Sequence, residues 1–551
     1  MPTINKHKLT LLPKLYTMRY LVCLAILTLS RVNAQNIYVN PHTGFDVQHY
    51  KFEITVSDKN DQIRGTATVQ LLATADSLRT VTLDLEQPDK EGGVGMTVSA
   101  VSMGREILEF RHTKDILYIT LPEPLLTNNF AALTIKYTGT PANGLIVSRN
   151  KHGDRTFFGD NWPNRARCWL PVVDYLNDKA TCEWLITAPS QYKVIANGYL
   201  EDETKQRNGN TLTHWRETVP IATKVMVFAA ARFCVRDNGT LGTIPVQTWV
   251  YPQDSAAAMI GYAPGIDILS YFYRKIGTYS YEKLANVQST TMFGGMENAS
   301  CIFYNENIVH GTENDEMLSL LAHEIAHQWF GNAVSEQNFA HIWLSEGFAT
   351  YLSAHYMGIR RGPKALQKIM NDNRQQVISF ARGHPNTPVI DSTQTNLMSL
   401  LNANSYQKGG WVLHMLHQEI GDSLFWATLG SYYTTYRNQN ANTAQFQAIA
   451  EKISGKSLDT FFKQWLYQPG IPEVTQKIVE QNGKWFVRFE QTQRGNTYQL
   501  PITIAITDKK GTEIQRINIR MTDRNQQFEL PAKPERIVAD PDCQLLWQLS
   551  L

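Results

Sequence analysis

The chain has 551 residues, 43% apolar and 19% charged, with a formal net charge of +2. That is globular composition, long enough for about three domains, and it excludes collagenous, low-complexity and disordered classes. No internal repeat is present.

Residues 1–34 read as an export signal. Basic Lys6, Lys8, Lys14 and Arg19 precede the apolar run YLVCLAILTL, and Val32 and Ala34 hold the small-residue positions of a cleavage site near Ala34. The run is shorter than the about 20 apolar residues that cross a bilayer, and Met18 is a second candidate start. Removing this segment takes away five basic residues and no acidic ones, leaving 47 basic against 50 acidic and a net charge of −3. Such a balance makes no case for nucleic acid or an anionic membrane as partner. No later segment is apolar enough to span, so the mature chain is expected without a stable membrane span, periplasmic or secreted. Cys168, Cys182, Cys234, Cys301 and Cys543 lack the paired spacing of a zinc ribbon or redox motif. In an oxidising compartment Cys168 and Cys182 are the nearest pair.

From about residue 37 to 235 the apolar pattern alternates. YKFEITVSD, GTATVQLLA, LYITLPE, AALTIKYTG and KVMVFAAARF predict strands separated by Gly, Asn and Asp turns. Near residue 254 the period lengthens, and helical patterns follow at 316–330, 346–358, 406–419, 422–437, 443–453 and 457–467. Asp422, Thr443 and Ser457 start three of them, and Gly421 and Gly455 close the ones before. After QPGIPEV the period returns to two in KWFVRFEQT, LPITIAITD and EIQRINIRMTD. The expected fold is multidomain α+β: an N-terminal all-β domain (35–238), an α-rich domain (239–470) and a small C-terminal β domain (471–551).

The chemistry concentrates in LLAHEIAHQWFGN, residues 320–332. On a helix, residues four apart share a face, so His323 and His327 can offer imidazole nitrogens to one tetrahedral zinc. Glu324 then stands beside the metal, able to touch its water without ligating. A catalytic zinc needs a third protein ligand and an open position, and WLSEGFATYL supplies Glu346, with 18 residues between it and His327. Taken alone, Glu346 also reads as a helix-start acid stabilised by the macrodipole. Upstream, in MFGGMENAS, Gly294 and Gly295 leave backbone free to pair with an extended peptide, and Glu297 adds a carboxylate beside it.

GGMEN, then HEIAHQWFGN, then LSEGFATY resemble, in order and spacing, the zinc aminopeptidases of the aminopeptidase N type. These are gluzincins, a family shared with the leukotriene-epoxide hydrolases. FDVQHYKFEITV, RARCWLPVVDYLNDKAT, SYQKGGWVLHML and FFKQWLYQPGIPEV extend the resemblance over most of the chain. The resemblance implies a thermolysin-like catalytic domain and one Zn2+ per chain held by His323, His327 and Glu346. It makes Glu324 the general base for a zinc-bound water nucleophile and Tyr406 the stabiliser of the oxyanion. Glu297 would bind the α-amine of a peptide substrate with a free N-terminus, within the stretch Gly294, Gly295, Met296, Glu297 and Asn298.

Two positions depart from the family pattern. Ser345 stands where the family usually has Asn before the third ligand. In the β domain, the positions expected to carry an amine-holding Gln or Glu read Asp160 and Trp162, and Asp160 is expected to take over that role. Longer relatives add a helical domain over the active site. This chain ends at DPDCQLLWQLSL, so the resemblance implies a more open cleft. The alternatives are an epoxide hydrolase of the leukotriene type and a binding module that keeps the fold without chemistry; zinc content and turnover separate the latter from an enzyme.

Overall fold

The structure, a computed structural model, describes residues 38–89, 93–309 and 311–550. The expected export signal lies outside them. The architecture that follows is that of the unit beginning at Asn40.

Alternation builds the N-terminal part. Strand Phe45–Thr55 buries Phe45, Val47, Tyr50, Phe52 and Ile54, with a bulge between Val47 and His49 that keeps the apolar side chains on one face. It pairs antiparallel with Ile63–Ala73 and parallel with Ala180–Pro189 inside an eight-stranded sheet. Cys168 and Cys182 are both free and buried. A four-stranded sheet contains Arg155–Gly159 and Phe228–Ala231. The stretch KVMVFAAARF is strand only over Phe228–Ala231; Thr223–Val225 form a single 3-10 turn. That turn sends the Lys224 side chain inward, where it is fully buried.

The boundary expected at 238/239 passes through a strand. Cys234–Leu241 pairs with Ile244–Val250, starting a five-stranded sheet that continues through Leu284–Ser289 and Cys301–Asn305 to Gly295–Met296 at its edge. Helices then follow: α1 (Ser255–Gly261), α2 (Gly265–Ile276), α3 (Asp315–His327), α4 (Trp343–Arg361), α5 (Pro363–Gly383), α6 (Gly409–Ile420), α7 (Asp422–Tyr436) and α8 (Thr443–Ser454). Helix α5 is absent from the periodicity reading. Its apolar residues Leu366, Ile369, Met370, Val377 and Phe380 do share one face, a narrow stripe on a mostly polar helix that buries only Met370, Asn373, Val377 and Ile378. The cap of α8 is Asn442, not Thr443: its side chain accepts from Gln445 N, and the Gln445 side chain accepts from Asn442 N, a complete capping box. Two small sheets close the chain: Glu473–Gln481 and Lys484–Gln491 pair in one, Leu500–Thr507 and Glu513–Met521 in the other. No helix of the described residues is long and apolar enough to cross a membrane.

Two contacts fix the helices that matter most. A Cβ on Gly347 of α4 would lie 2.8 Å from the Gly409 backbone, so α4 and α6 meet backbone to backbone. Lys179, from the β portion, donates to the carbonyls of Asn332, Ala333 and Gln439 at 2.8–3.0 Å, pinning the segment that leaves α3. Gly347→Ala is therefore expected to destabilise the fold by about 1–3 kcal/mol, the usual penalty for overpacking. Thermal unfolding of the variant reads this directly, and an unchanged midpoint would mean that the two backbones do not meet.

Candidate active site

Helix α3 begins at Asn314, whose side chain accepts from Met317 N at 2.7 Å. Three turns later its periodicity brings His323 and His327 onto one face with their Nε2 atoms 3.0 Å apart. Glu346, in the first turn of α4, places Oε2 3.4 Å from His323 Nε2 and 3.3 Å from His327 Nε2. His327 Nδ1 lies 3.2 Å from the Phe330 carbonyl, which can only accept; Nδ1 therefore carries a proton and Nε2 is the atom turned towards the other two. The Ser345 hydroxyl sits 3.1 Å from the same Nδ1, so the residue that departs from the family pattern orients a ligand. Gly331, at φ +120°, lets the chain pass close by: a Cβ there would meet Ser345 Oγ at 2.3 Å and His327 Nδ1 at 2.9 Å.

These three side chains fit a metal ion. The ligand atoms of a tetrahedral zinc, at bonds of about 2.0–2.1 Å, stand about 3.3 Å apart, close to the edges seen here. Glu346 Oε2 is buried and accepts no well-formed hydrogen bond. Burial works against its ionisation, but His327 and His323 hold its carboxyl well below the usual carboxylate range. Burial likewise works against a charge on His327, yet Glu346 pushes its pKa up to about 9. Positive charge is drawn to the point where the three side chains converge.

The remaining residues surround that point. Glu324 is buried against strand Gly295–Met296; a Cβ on Gly295 would lie 2.3 Å from Glu324 Oε1, so only glycine fits there. Burial raises the Glu324 pKa well above the usual range, with His327 opposing and Glu297 adding to the rise. The Tyr406 ring stacks on His323 at 6.1 Å, and burial keeps its hydroxyl protonated far above neutral pH. Tyr406 rides on a π-type turn, Asn404–Lys408, that leads into α6. Glu297 is only 5% exposed, and its Oε1 has no hydrogen-bond partner. Its backbone carbonyl is clamped by Gln328 Nε2 at 3.0 Å and Asn332 Nδ2 at 2.6 Å. Gly294, Gly295, Met296, Glu297, Glu324 and Tyr406 all line one cleft of about 570 Å³ with the His–His–Glu trio.

Asp160 and Asn298 stand apart from that cleft. Asp160 is fully buried, one oxygen paired with Arg165 and the other accepting from Thr291 Oγ1 at 3.0 Å. Its carboxylate is spent on its own neighbours. Asn298 is buried behind the strand, and neither residue lines the cleft. Trp162 lines it instead, edge-on to Phe293 and Phe339. The sequence reading missed Lys224 and Glu336. Lys224 Nζ lies 2.9 Å from Glu336 Oε1 and 3.9 Å from Glu297 Oε1, all three buried. Burial alone would lower the Lys224 pKa, but Glu336 and Glu297 hold it above its ordinary value. The signal was present, a single cation in the apolar run IATKVMVFAAA.

Comparison with known proteins places this geometry. The Peptidase family M1 domain matches residues 265–465, which contain the trio, Glu324 and Tyr406, and the Peptidase M1 N-terminal domain matches 46–225. The chain belongs to peptidase family M1. Among curated M1 relatives, glutamyl aminopeptidase of Bitis rhinoceros is 29% identical over 57% of this chain and 34% of its own length. The chain spans between a third and about half of the length of the curated relatives it matches. The fold is that of Legionella pneumophila aminopeptidase A, solved in complex with aspartic acid, at a TM-score of 0.80 and 17% identity over 93% of this chain and 61% of that one. An M1 zinc metallopeptidase from Deinococcus radiodurans aligns at a TM-score of 0.63 and 23% identity over 79% of this chain and 97% of its own. The M1 N-terminal match ends one residue past Lys224, so the buried ammonium beside Glu297 comes from the β portion. Lys224→Met removes the only cation shared by two buried carboxylates and should destabilise the protein by about 3–5 kcal/mol. Denaturant unfolding checks this; a loss below 1 kcal/mol would mean the carboxylates are neutralised in another way.

Proposed function

We propose that the protein is an exported zinc aminopeptidase that removes one residue at a time from peptides with a free N-terminus. Glu297 carries this reading: a buried carboxylate whose Oε1 accepts no hydrogen bond and has only a share of the Lys224 ammonium, 3.9 Å away, opening onto the same cleft as the His–His–Glu trio. A buried carboxylate that is only partly compensated is costly, so a substrate ammonium is favoured there and an acetylated terminus is not. The free edge of strand Gly295–Met296 can pair with an extended peptide and set its register past Glu324. Export rests on the charge and apolar pattern of residues 1–34.

Zinc, held one per chain by His323, His327 and Glu346, would supply Lewis acidity and lower the pKa of a water towards about 7. Glu324 takes a proton as attack begins and returns it to the leaving amine; its raised pKa suits both halves of that task. The Tyr406 hydroxyl, protonated at neutral pH, donates to the oxyanion as it forms.

The cleft also speaks to the N-terminal side chain. Among its lining residues are the carboxylates Glu297, Glu316, Glu324 and Glu346, with no lysine or arginine. Trp162 and Phe293 add aromatic surface. Neutral and cationic N-terminal residues suit this lining better than acidic ones, in contrast to the glutamyl name of its relatives.

A panel of aminoacyl-anilides with their N-acetylated partners, with and without a zinc chelator, tests the proposal. Chelator-sensitive release from the free-amine compounds alone is expected; cleavage of the acetylated partners would overturn the role of Glu297. Glu324→Gln should lower kcat about 10²–10⁴-fold with zinc content unchanged, and Tyr406→Phe about 10²–10³-fold. Leucyl and arginyl compounds should outpace the glutamyl one, and the reverse order would refute the charge argument.

A further inference from the structure

A second group of metal-binding side chains lies outside the cleft. His355 is in α4, His417 in α6, and Asp422 begins α7. A ring nitrogen of each histidine and a carboxylate oxygen of Asp422 all fall within 4.8 Å of one another. None of the three lines the cleft.

We propose that His355, His417 and Asp422 form a second cation site, suited to a borderline divalent ion such as zinc, that ties α4 to α6 and α7. Its donor set, two imidazoles and one carboxylate, is the same as that of the trio in the cleft. Each imidazole is oriented by a tyrosine. Tyr271 Oη lies 2.9 Å from His355 Nδ1, and Tyr351 Oη lies 2.7 Å from His417 Nδ1. Both Nδ1 atoms are engaged, and where the tyrosine oxygen accepts from Nδ1 the Nε2 lone pair is left for an ion, as outer hydrogen bonds do around metal-bound histidines; His417 Nε2 would give up the proton it donates to Asp422 Oδ1. Among the described residues His355 has no hydrogen-bond partner besides Tyr271, so its Nε2 is uncommitted.

His417 Nε2 already faces Asp422 Oδ1 at 2.9 Å. An ion between them needs a separation of about 3.3 Å, a widening of the size required between His323 and His327, which stand 3.0 Å apart. The Asp422 side chain is 69% exposed, so the remaining coordination positions open to water. Trp426 Nε1 also donates to Asp422 Oδ1, at 3.1 Å, which holds the carboxylate in place. The opposing charge is Lys275, whose ammonium rests over the Trp426 ring at 4.8 Å and forms no ion pair with Asp422.

Metal content of the full chain, stripped and then equilibrated at low-micromolar free zinc, tests the site. Two zinc ions per chain are expected in the native protein and one in each of His355→Gln and Asp422→Asn, with turnover of an aminoacyl-anilide unchanged in both. Lys275→Gln should tighten the second ion by removing the ammonium, and loading that ion should raise the thermal midpoint of the native protein but not of His355→Gln. One ion per native chain would overturn the proposal, leaving a Tyr–His–Asp hydrogen-bond chain. Two ions retained in both variants would overturn it as well, by placing the second ion elsewhere. The count stands whether or not peptides are cleaved.

Discussion

The site depends on where one carboxylate is held. Glu346 must reach two imidazoles carried by another helix, and the oxygen that does so stands within 0.1 Å of the same distance from both. Close packing sets that position. Gly347, the next residue, lets α4 approach α6 until their backbones touch, and Gly331 leaves room for Ser345 to reach His327 from the other side. Interiors pack at crystal density, so a side chain at either glycine would push Glu346 or His327 out of place. The glycines flanking the motif set the geometry of the His–His–Glu trio as much as the three residues themselves.

Charge forms the next layer. Glu297, Glu324, Glu336 and Glu346 are all buried within this region, where an uncompensated charge is costly. The protein resolves this differently at each. Glu346 is kept ionised by the histidines, Glu324 is allowed to rise, and Glu336 shares Lys224 with Glu297. Carboxylates of one chemical type are thereby set in different surroundings, as the proposed roles of ligand, proton carrier and ammonium anchor require.

Much of this was legible in the sequence. The HExxH spacing is helical geometry written in one dimension, whereas Glu346, which alone also read as a helix-start acid, was singled out by the family resemblance. The β–α–β layout followed from the change of period. What escaped did so for physical reasons. Lys224 interrupts an alternating run, but a 3-10 turn, not a strand, points it inward, and turns of that size leave no period to read. Helix α5 carries only a narrow apolar stripe in a mostly polar segment. Asp160 sits at the expected place in the chain, yet the partner that engages it, Arg165, is only five residues on. A sequence position shows which group is available, not whether a neighbour has already claimed it.

Lys224 and Lys179 have a consequence for how the chain can change. Both leave the β portion, one to balance Glu336 and Glu297, the other to hold the carbonyls of Asn332, Ala333 and Gln439. The electrostatic balance at Glu297 is thus set from outside the segment that carries His323, His327 and Glu346. Substitutions at 224, 297 and 336 will not add; each alters the meaning of the others. Nor can the helical part be moved alone onto a β portion that lacks a cation at this place, because its buried carboxylates would arrive without their counter-ion. In this molecule the seam between domains is a place where heredity is shared.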